Sequence, residues 1–132
     1  SPWSIQIQVE NVGETNANVK DGIVEIRWRL SNEPYRHRVL HKESTKDFLL
    51  EAGGERPINI PIVDEREFES KIHLAGLAFK EGRPGKYLMQ VVGVIRYTDD
   101  SGAGRKTGFC RNLNIETCRF LASDDPEVEF QD

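Results

Sequence analysis

The residues with the clearest potential for metal chemistry are two histidines in the first half of the chain. His37 and His41 stand four residues apart, and Glu33 or Glu43 could serve as a third ligand. Zinc needs convergent ligands whose orientation is fixed by neighbouring hydrogen bonds, whereas residues 35–47 are basic, polar and irregular in pattern. The sequence therefore favours a solvated basic loop, and we expect neither a metal site nor a cofactor.

A short acidic run, Asp-Asp-Ser-Gly at residues 99–102, could offer oxygen ligands to calcium. Calcium takes six to eight oxygens, and the further acidic residues and downstream glutamate of a calcium loop are missing here. Apolar and aromatic residues lead up to the run from Gly93, and a second stretch leaves through Thr107 and Phe109. This pattern predicts the polar turn of a β-hairpin.

Nucleophilic catalysis would need a cysteine or serine beside a histidine, and the sequence gives no sign of that arrangement. It has no Gly-x-Ser-x-Gly elbow, and Cys110 follows Phe109 in a predicted strand, where a thiol is usually inert. A pair of carboxylates could act as acid and base, but the candidates lie on predicted exposed faces, where acids serve solubility: Glu25, Glu65, Glu67 and Glu69. The sequence therefore predicts a protein that is not an enzyme.

The two cysteines, Cys110 and Cys118, are eight residues apart. If residues 107–110 and 119–121 are strands joined by a loop over 111–116, the cysteines flank that loop and could form a disulfide in an oxidising compartment. Closing so short a loop would add only about 2–3 kcal/mol, which a core of this size does not need. We therefore predict two thiols, with the disulfide as the alternative.

A cluster of arginines with aromatic neighbours is the candidate interaction surface of this sequence. Such a cluster can bind a polyanion, anionic headgroups or an acidic partner. Alternatively, it is the outer face of a strand followed by a charged loop. The predicted patch consists of Arg27, Arg29, Tyr35, Arg36 and Arg38, with Trp28 between the first two.

Composition limits the classes of partner. The 132 residues carry 18 Lys and Arg against 22 Asp and Glu, a formal charge of −4. This balance disfavours nucleic acid as the main partner, because phosphate binding needs a concentrated positive field. No apolar run approaches the roughly 18 residues of a membrane span. The chain opens Ser1-Pro2-Trp3 and its only methionine is Met89, so we expect it to be a piece of a longer protein.

Alternating and apolar stretches predict the strands that hold these residues. Odd positions over 3–9 and even positions over 24–30 are apolar, which is typical of half-buried strands. Ile58, Ile60 and Ile62 predict a short strand punctuated by Pro57 and Pro61, which favours a sheet edge. Residues 87–97 are apolar on both faces and predict a central strand covered on both sides.

Two segments are ambiguous. Residues 35–47 fit a long loop or a frayed edge strand. Residues 64–77 fit a helix or a strand, and we predict one helical turn near 64–69 followed by a strand. Seven or eight short strands with little helix predict an all-β fold, a two-sheet immunoglobulin-like β-sandwich. Residues 1–122 are expected to form that single domain, and residues 123–132 an acidic tail.

Two blocks of this sequence resemble a loose set of uncharacterised bacterial membrane-anchored proteins. Residues 11–17 resemble an Asn-x-Gly-x-Thr-Pro-Ala segment of that set, with Asn16 in place of the usual proline. The second block is a late Gly-x-Ile-x-Tyr-x-Asp-x-x-Gly hairpin followed by Thr-x-Phe-Cys, carried here by Gly93, Ile95, Tyr97, Asp99, Gly102, Thr107, Phe109 and Cys110. Ala103 and Gly104 lengthen the hairpin loop, and the middle of the chain has no counterpart.

The resemblance implies a non-enzymatic immunoglobulin-like soluble domain of a membrane-anchored bacterial protein, and it supplies no catalytic residue. The membrane attachment would lie in a segment upstream of this chain. We expect such a domain to act through contacts with a protein partner. The alternative is a small-ligand or carbohydrate-binding module that uses aromatic side chains at the sandwich ends. A buried Trp3 and Trp28 would favour the first, and an exposed aromatic platform the second.

Overall fold

The computed structural model describes residues 4–33, 35–62, 64–83, 85–114, 117, 119–122 and 130–131. Within these residues the chain forms nine strands and one helix. Their bounds are β1 Ser4–Glu10, β2 Ala17–Leu30, β3 Arg38–Thr45, β4 Phe48–Leu50, β5 Glu55–Pro61, α1 Glu65–Lys80, β6 Tyr87–Thr98, β7 Gly104–Asn114, β8 Arg119–Ala122 and β9 Phe130–Gln131.

The strands of the described residues make two antiparallel sheets. The larger has the order β3-β2-β6-β7-β8, with β4 beside β2 and β9 beside β7. The smaller pairs β1 with β5. The two-sheet, all-β fold class predicted from the alternating strands is confirmed.

The core lies between the small sheet and one face of the large sheet, here called the inner face. Val24, Ile26 and Trp28 of β2 are buried on that face, as their even-numbered alternation predicts. From the small sheet, Ile5 and Ile60 pack against them. Trp3, the first predicted apolar position of β1, lies outside the described residues. Burying large apolar side chains on both sheets stabilises the two-layer arrangement by roughly 1.5–3 kcal/mol for each side chain.

Strand β6 is central, as predicted, since it pairs with β2 on one side and β7 on the other. Its inner-face residues, among them Val91 and Ile95, are buried. The opposite, outer face is only partly covered: Val92 is buried, whereas Val94 is exposed over about a third of its surface, 37%. The expectation of cover on both sides therefore holds for only part of the strand.

The helix α1 is longer than predicted. Asp64 caps its N-terminus by accepting a hydrogen bond from the Glu67 N–H at 3.0 Å. Phe68, Ala75 and Ala78 recur at helical spacing and are buried. The strand predicted after residue 69 is therefore wrong, because the helix continues to Lys80 and buries its apolar stripe in the core cluster shared by both sheets.

Two other segments are more regular than predicted. The basic stretch holds β3, an edge strand along β2, so the edge-strand alternative is the correct one for residues 38–45. The loop predicted over 111–116 is wrong in its first part, because β7 continues through Asn114 and pairs there with Arg119. Most of the acidic tail lies outside the described residues, while Phe130 and Gln131 pair with β7.

Candidate functional site

Four of the five residues of the predicted basic patch gather at one end of β2. Arg29 of β2, Tyr35 and Arg36 of the following loop, and Arg38 at the start of β3 line one shallow groove. Tyr35 is 92% exposed. Arg27 does not line this groove and lies on the outer face of the large sheet.

Two of the four arginines in this patch form ion pairs. Arg27 donates to Glu25 at 2.8 Å, and Arg29 donates to the carbonyls of Leu30 and Ser31 at 3.1 Å. Arg38 holds Glu67 of α1; that hydrogen bond lowers the pKa of Glu67 and raises that of the Arg38 guanidinium. Arg29 and Arg36 are the two patch arginines for which the described residues show no ion pair.

A second candidate site is a cleft at the opposite end of the molecule, here called the distal cleft. It has a volume of about 360 Å³ and lies between the loop at residues 11–16 and the β6–β7 hairpin. Its floor is apolar and its rim is polar. Val19, Leu50, Ile95 and Tyr97 contribute to the floor, and Glu10, Asn11, Asn16, Asp99 and Arg105 to the rim.

Asn11 builds one wall of the distal cleft. Its side-chain amide donates to the carbonyls of Thr15 at 2.9 Å and Leu50 at 3.0 Å, while its Oδ1 accepts from the Gly13 N–H at 3.0 Å. Asn16 Oδ1 accepts from the Ala52 N–H at 3.1 Å. Because asparagine satisfies the backbone of a turn in this way, the loop is held against the end of β4.

Asp99 builds the opposite wall. It is the first residue of the turn between β6 and β7, and this predicted hairpin is confirmed. Its carboxylate accepts from the Ser101 hydroxyl, from the Ser101 and Ala103 N–H groups, and from Arg105 Nε. Hydrogen bonds from Ser101 first, and then from Arg105, lower the pKa of Asp99 to about 2. The carboxylate is thus occupied by donors from the protein itself.

The distal cleft continues into a groove along β1, here called the edge groove, of about 420 Å³. The two share Val9, Glu10, Ile95 and Thr107 as lining residues. The floor of the edge groove is the inner face of β6, β7 and β8, where the small sheet does not reach. That floor is formed by Val91, Ile95, Thr107, Phe109, Arg111 and Phe120.

One edge of β1 faces this groove without a partner strand among the described residues, which pair β1 only with β5. Proline has no N–H to donate. Pro57 and Pro61 of β5 therefore occupy non-hydrogen-bonded pairs with β1, where the backbone groups of both strands point away from each other. Their partners Gln8 and Ser4 therefore direct their own N–H and C=O groups toward the free edge. The bond from the Asn11 N–H to the Gly54 carbonyl, at 2.9 Å, fits the same alternation.

Both sequence blocks that carry the resemblance meet at the distal cleft, although about 80 residues separate them. Asn11, Gly13 and Thr15 come from the first block, and Ile95, Tyr97, Asp99 and Thr107 from the second. No family model, curated protein or solved structure matches the chain.

The remaining candidate residues are dispersed. His41 Nε2 lies 3.2 Å from Glu43 Oε2 within β3, whereas His37 is exposed in the preceding loop. In the described residues no group of three His, Cys, Asp or Glu is placed to hold a metal ion. Cys110 is buried in β7 near the Gln90 amide, 3.6 Å from its sulfur, and the pairing of Cys118 lies outside the described residues.

Sequence reasoning missed the free edge of β1, although part of its signal was present. The prolines of residues 57 and 61 correctly placed β5 at a sheet edge. They did not reveal that β5 has β1 as its partner, because strand pairing depends on contacts between residues more than 40 positions apart. The described part of the chain contains no helix long and apolar enough to cross a membrane.

Proposed function

We propose that this chain is the non-enzymatic, soluble domain of a membrane-anchored bacterial protein and that it binds an extended segment of a partner protein at the free edge of β1. The observation that carries the proposal is this edge, since it combines an apolar groove with backbone groups that have no partner strand within the described ranges. Addition of a strand to an exposed sheet edge is a common mode of peptide recognition.

The strand order supports an immunoglobulin-like relation for this domain. In immunoglobulin sandwiches strand B pairs with E, C with F, and F with G, and an additional strand C′ lies beside C. Here β1 pairs with β5, β2 with β6, β6 with β7, and β3 lies beside β2, which is the same pattern in the same chain order. Trp28 is the buried tryptophan on the strand equivalent to C. The departures include α1, which replaces a short connection, and the additional strands β8 and β9.

This correspondence also names the strand position next to β1 that the described residues leave unfilled. In the immunoglobulin pattern the neighbour of strand B on that side is strand A, and the described residues supply no strand there. A bound segment would take that position and bond to the backbone of Gln6 and Gln8. Its alternate side chains would then pack over Phe109 and Phe120 on the groove floor.

The alternative, a carbohydrate-binding module, would need a platform of exposed aromatic rings. Trp28 is only 7% exposed, and it stacks on Tyr87 with ring centroids 5.1 Å apart and an interplanar angle of 14°. These two rings therefore belong to the interior. We favour the protein-binding proposal for this reason.

The test selects phage-displayed random peptides of about 12 residues that bind the wild-type chain. The affinity of the selected peptides is then measured for two variants of residue 8. Gln8→Ala keeps the free N–H, whereas Gln8→Pro removes that donor without removing a bond to β5. We expect peptides with alternating apolar residues that bind the wild type and the alanine variant. The proline variant should bind them at least tenfold more weakly, because it loses a ladder bond and its ring blocks close approach.

Hydrogen exchange supplies a second measurement on the same complex. The backbone amides of Gln6 and Gln8 should exchange fast in the unbound protein and become protected with a selected peptide bound. Circular dichroism of both variants checks that they are folded. Selected peptides that bind the alanine and proline variants equally, or a selection that yields no such peptides, would overturn the proposal.

A further inference from the structure

Charge is unevenly distributed between the two ends of this molecule. The basic end consists of the described residues of two loops, 31–33 with 35–37 and 81–83 with 85–86, together with the last turn of α1, residues 77–80. A hydrogen bond of 2.9 Å from the Ser31 N–H to the Lys86 carbonyl joins the two loops. Another, of 2.8 Å, from the Arg83 N–H to the Ala78 carbonyl joins the second loop to the helix. These bonds make the basic end one continuous surface.

The basic end carries a positive excess, whereas the other end is negative. Its bases are Arg36, Lys80, Arg83 and Lys86, and its acids are Glu33 and Glu81. Glu81 is already held by Arg83. The distal loops, residues 11–16, 46–47, 51–54 and 99–103, carry five acids and one base. The charge is therefore separated along the strand direction.

The basic end also exposes apolar and aromatic side chains beside its charges. Tyr35 is almost fully exposed, and Leu77 and Phe79 are each exposed over about two-fifths of their surface. Solvent-exposed rings and aliphatic side chains next to Lys and Arg are the composition that settles at a membrane interface.

We propose that the basic end docks directly on an anionic lipid surface. Lys and Arg side chains would approach the phosphates of anionic lipids. Tyr35 and Leu77, which lies three residues before Lys80 on the same side of α1, would enter the headgroup layer. An acidic peptide or nucleic acid would satisfy the charges but leave the apolar side chains in water. A lipid surface satisfies both. This contact is independent of the peptide edge, which lies on β1, and of any upstream anchor.

The basic end packs against the aromatic rings of Trp28 and Tyr87. Lys71 lies over the Trp28 ring at 5.4 Å, and Lys86 lies over the Tyr87 ring at 5.2 Å. The two rings stack on each other. The helix and the second loop therefore contact the same aromatic pair, and the Ser31–Lys86 hydrogen bond joins the first loop to them.

The test measures binding of the chain to vesicles of phosphatidylcholine alone and of phosphatidylcholine with about 30% phosphatidylglycerol. We expect binding to the anionic vesicles that weakens as sodium chloride rises from about 20 to about 200 mM. The double variant Arg36→Gln/Lys80→Gln should bind roughly 25-fold more weakly, about fivefold for each charge removed near an anionic surface. Tyr35→Ser should weaken binding several-fold without changing its salt dependence.

The matched control is Lys20→Gln/Lys46→Gln, which removes the same charge from exposed positions at the other end. It should change vesicle affinity less than twofold, and the Gln8→Pro variant should not change it at all. The proposal would be overturned if the two double variants lost the same affinity for anionic vesicles, or if the wild type did not prefer anionic vesicles. The proposal would also be overturned if the chain bound soluble poly-glutamate through Arg36 and Lys80 but did not bind vesicles.

Discussion

At the scale of single residues, Asp99 makes the most concentrated set of hydrogen bonds in the described chain. Its carboxylate accepts from four donors in residues 101–105, and they lower its pKa from 3.8 to about 2. A lowered pKa in the folded state means that folding favours the ionised carboxylate. The stability it contributes is fully present above about pH 4 and is lost as the pH falls toward 2.

We therefore expect Asp99→Asn to lower the thermal unfolding midpoint at neutral pH, and the gap to wild type to narrow between about pH 4 and pH 2. Asp100→Asn is the control, since it removes the adjacent charge but leaves the donors of Asp99 in place. Its gap to wild type should stay small at every pH. A gap for Asp99→Asn that is constant from pH 7 to pH 2 would contradict the role given to its charge.

At the scale of elements, the β6–β7 pair depends on one close approach. Gly93 lies opposite Phe109 in the register, and a Cβ added to Gly93 would stand 2.3 Å from the Phe109 ring. No side chain fits there without moving the ring. Two positions of the second resemblance block are therefore coupled by packing.

We expect Gly93→Ala to destabilise the protein by about 1–3 kcal/mol through overpacking. Phe109→Leu alone should also destabilise, because it leaves a cavity. The double variant should be more stable than the sum of the two changes predicts, with a coupling of about 0.5–3 kcal/mol by chemical denaturation. Gly104→Ala, with open space around the added Cβ, is the control and should stay within about 0.5 kcal/mol of wild type. Additive effects of the two changes would refute the coupling.

Elements with one clear periodicity could be predicted from the sequence. In β1 and β2 alternation identifies the buried face because successive side chains of a strand point to opposite sides. The segment that became α1 could not be assigned, since Phe68, Ile72 and Ala75 fit a helix while Ile72 and Leu74 also fit a strand. The helix is favoured because Asp64 caps its N-terminus and because Phe68 and Ala75 are buried together in the core.

At the scale of the whole molecule, Trp28 connects the large sheet to α1. Its ring is buried on the inner face of β2, stacks on Tyr87 of β6 and lies under Lys71 of α1. Trp28→Ala should therefore lower the free energy of unfolding by about 3–5 kcal/mol in denaturant titrations. Tyr35→Ala, a change to an exposed ring, should cost no more than about 0.5 kcal/mol. A loss below about 1 kcal/mol for Trp28→Ala would show that the ring does not connect the large sheet to α1.

The basic end, the edge groove and the distal cleft have a defined relation in this architecture. The distal cleft lies where β2 begins and β6 ends, and the basic end lies where β2 ends and β6 begins. A domain held on lipid by its basic end would present the distal cleft away from the membrane. The edge groove would then run between these ends, open to a partner segment.

The sequence by itself determined the fold class, the buried faces of β1 and β2, the hairpin at Asp99 and the edge character of β5, because each depends on neighbours within one strand or turn. It also grouped most of the basic patch, since those residues are close along the chain. Only the tertiary structure decided the pairing of β1 with β5, the free edge beside it, and the meeting of residues 11–17 with the second block. Those features depend on contacts between segments far apart in sequence, and local periodicity carries no information about which strands become neighbours.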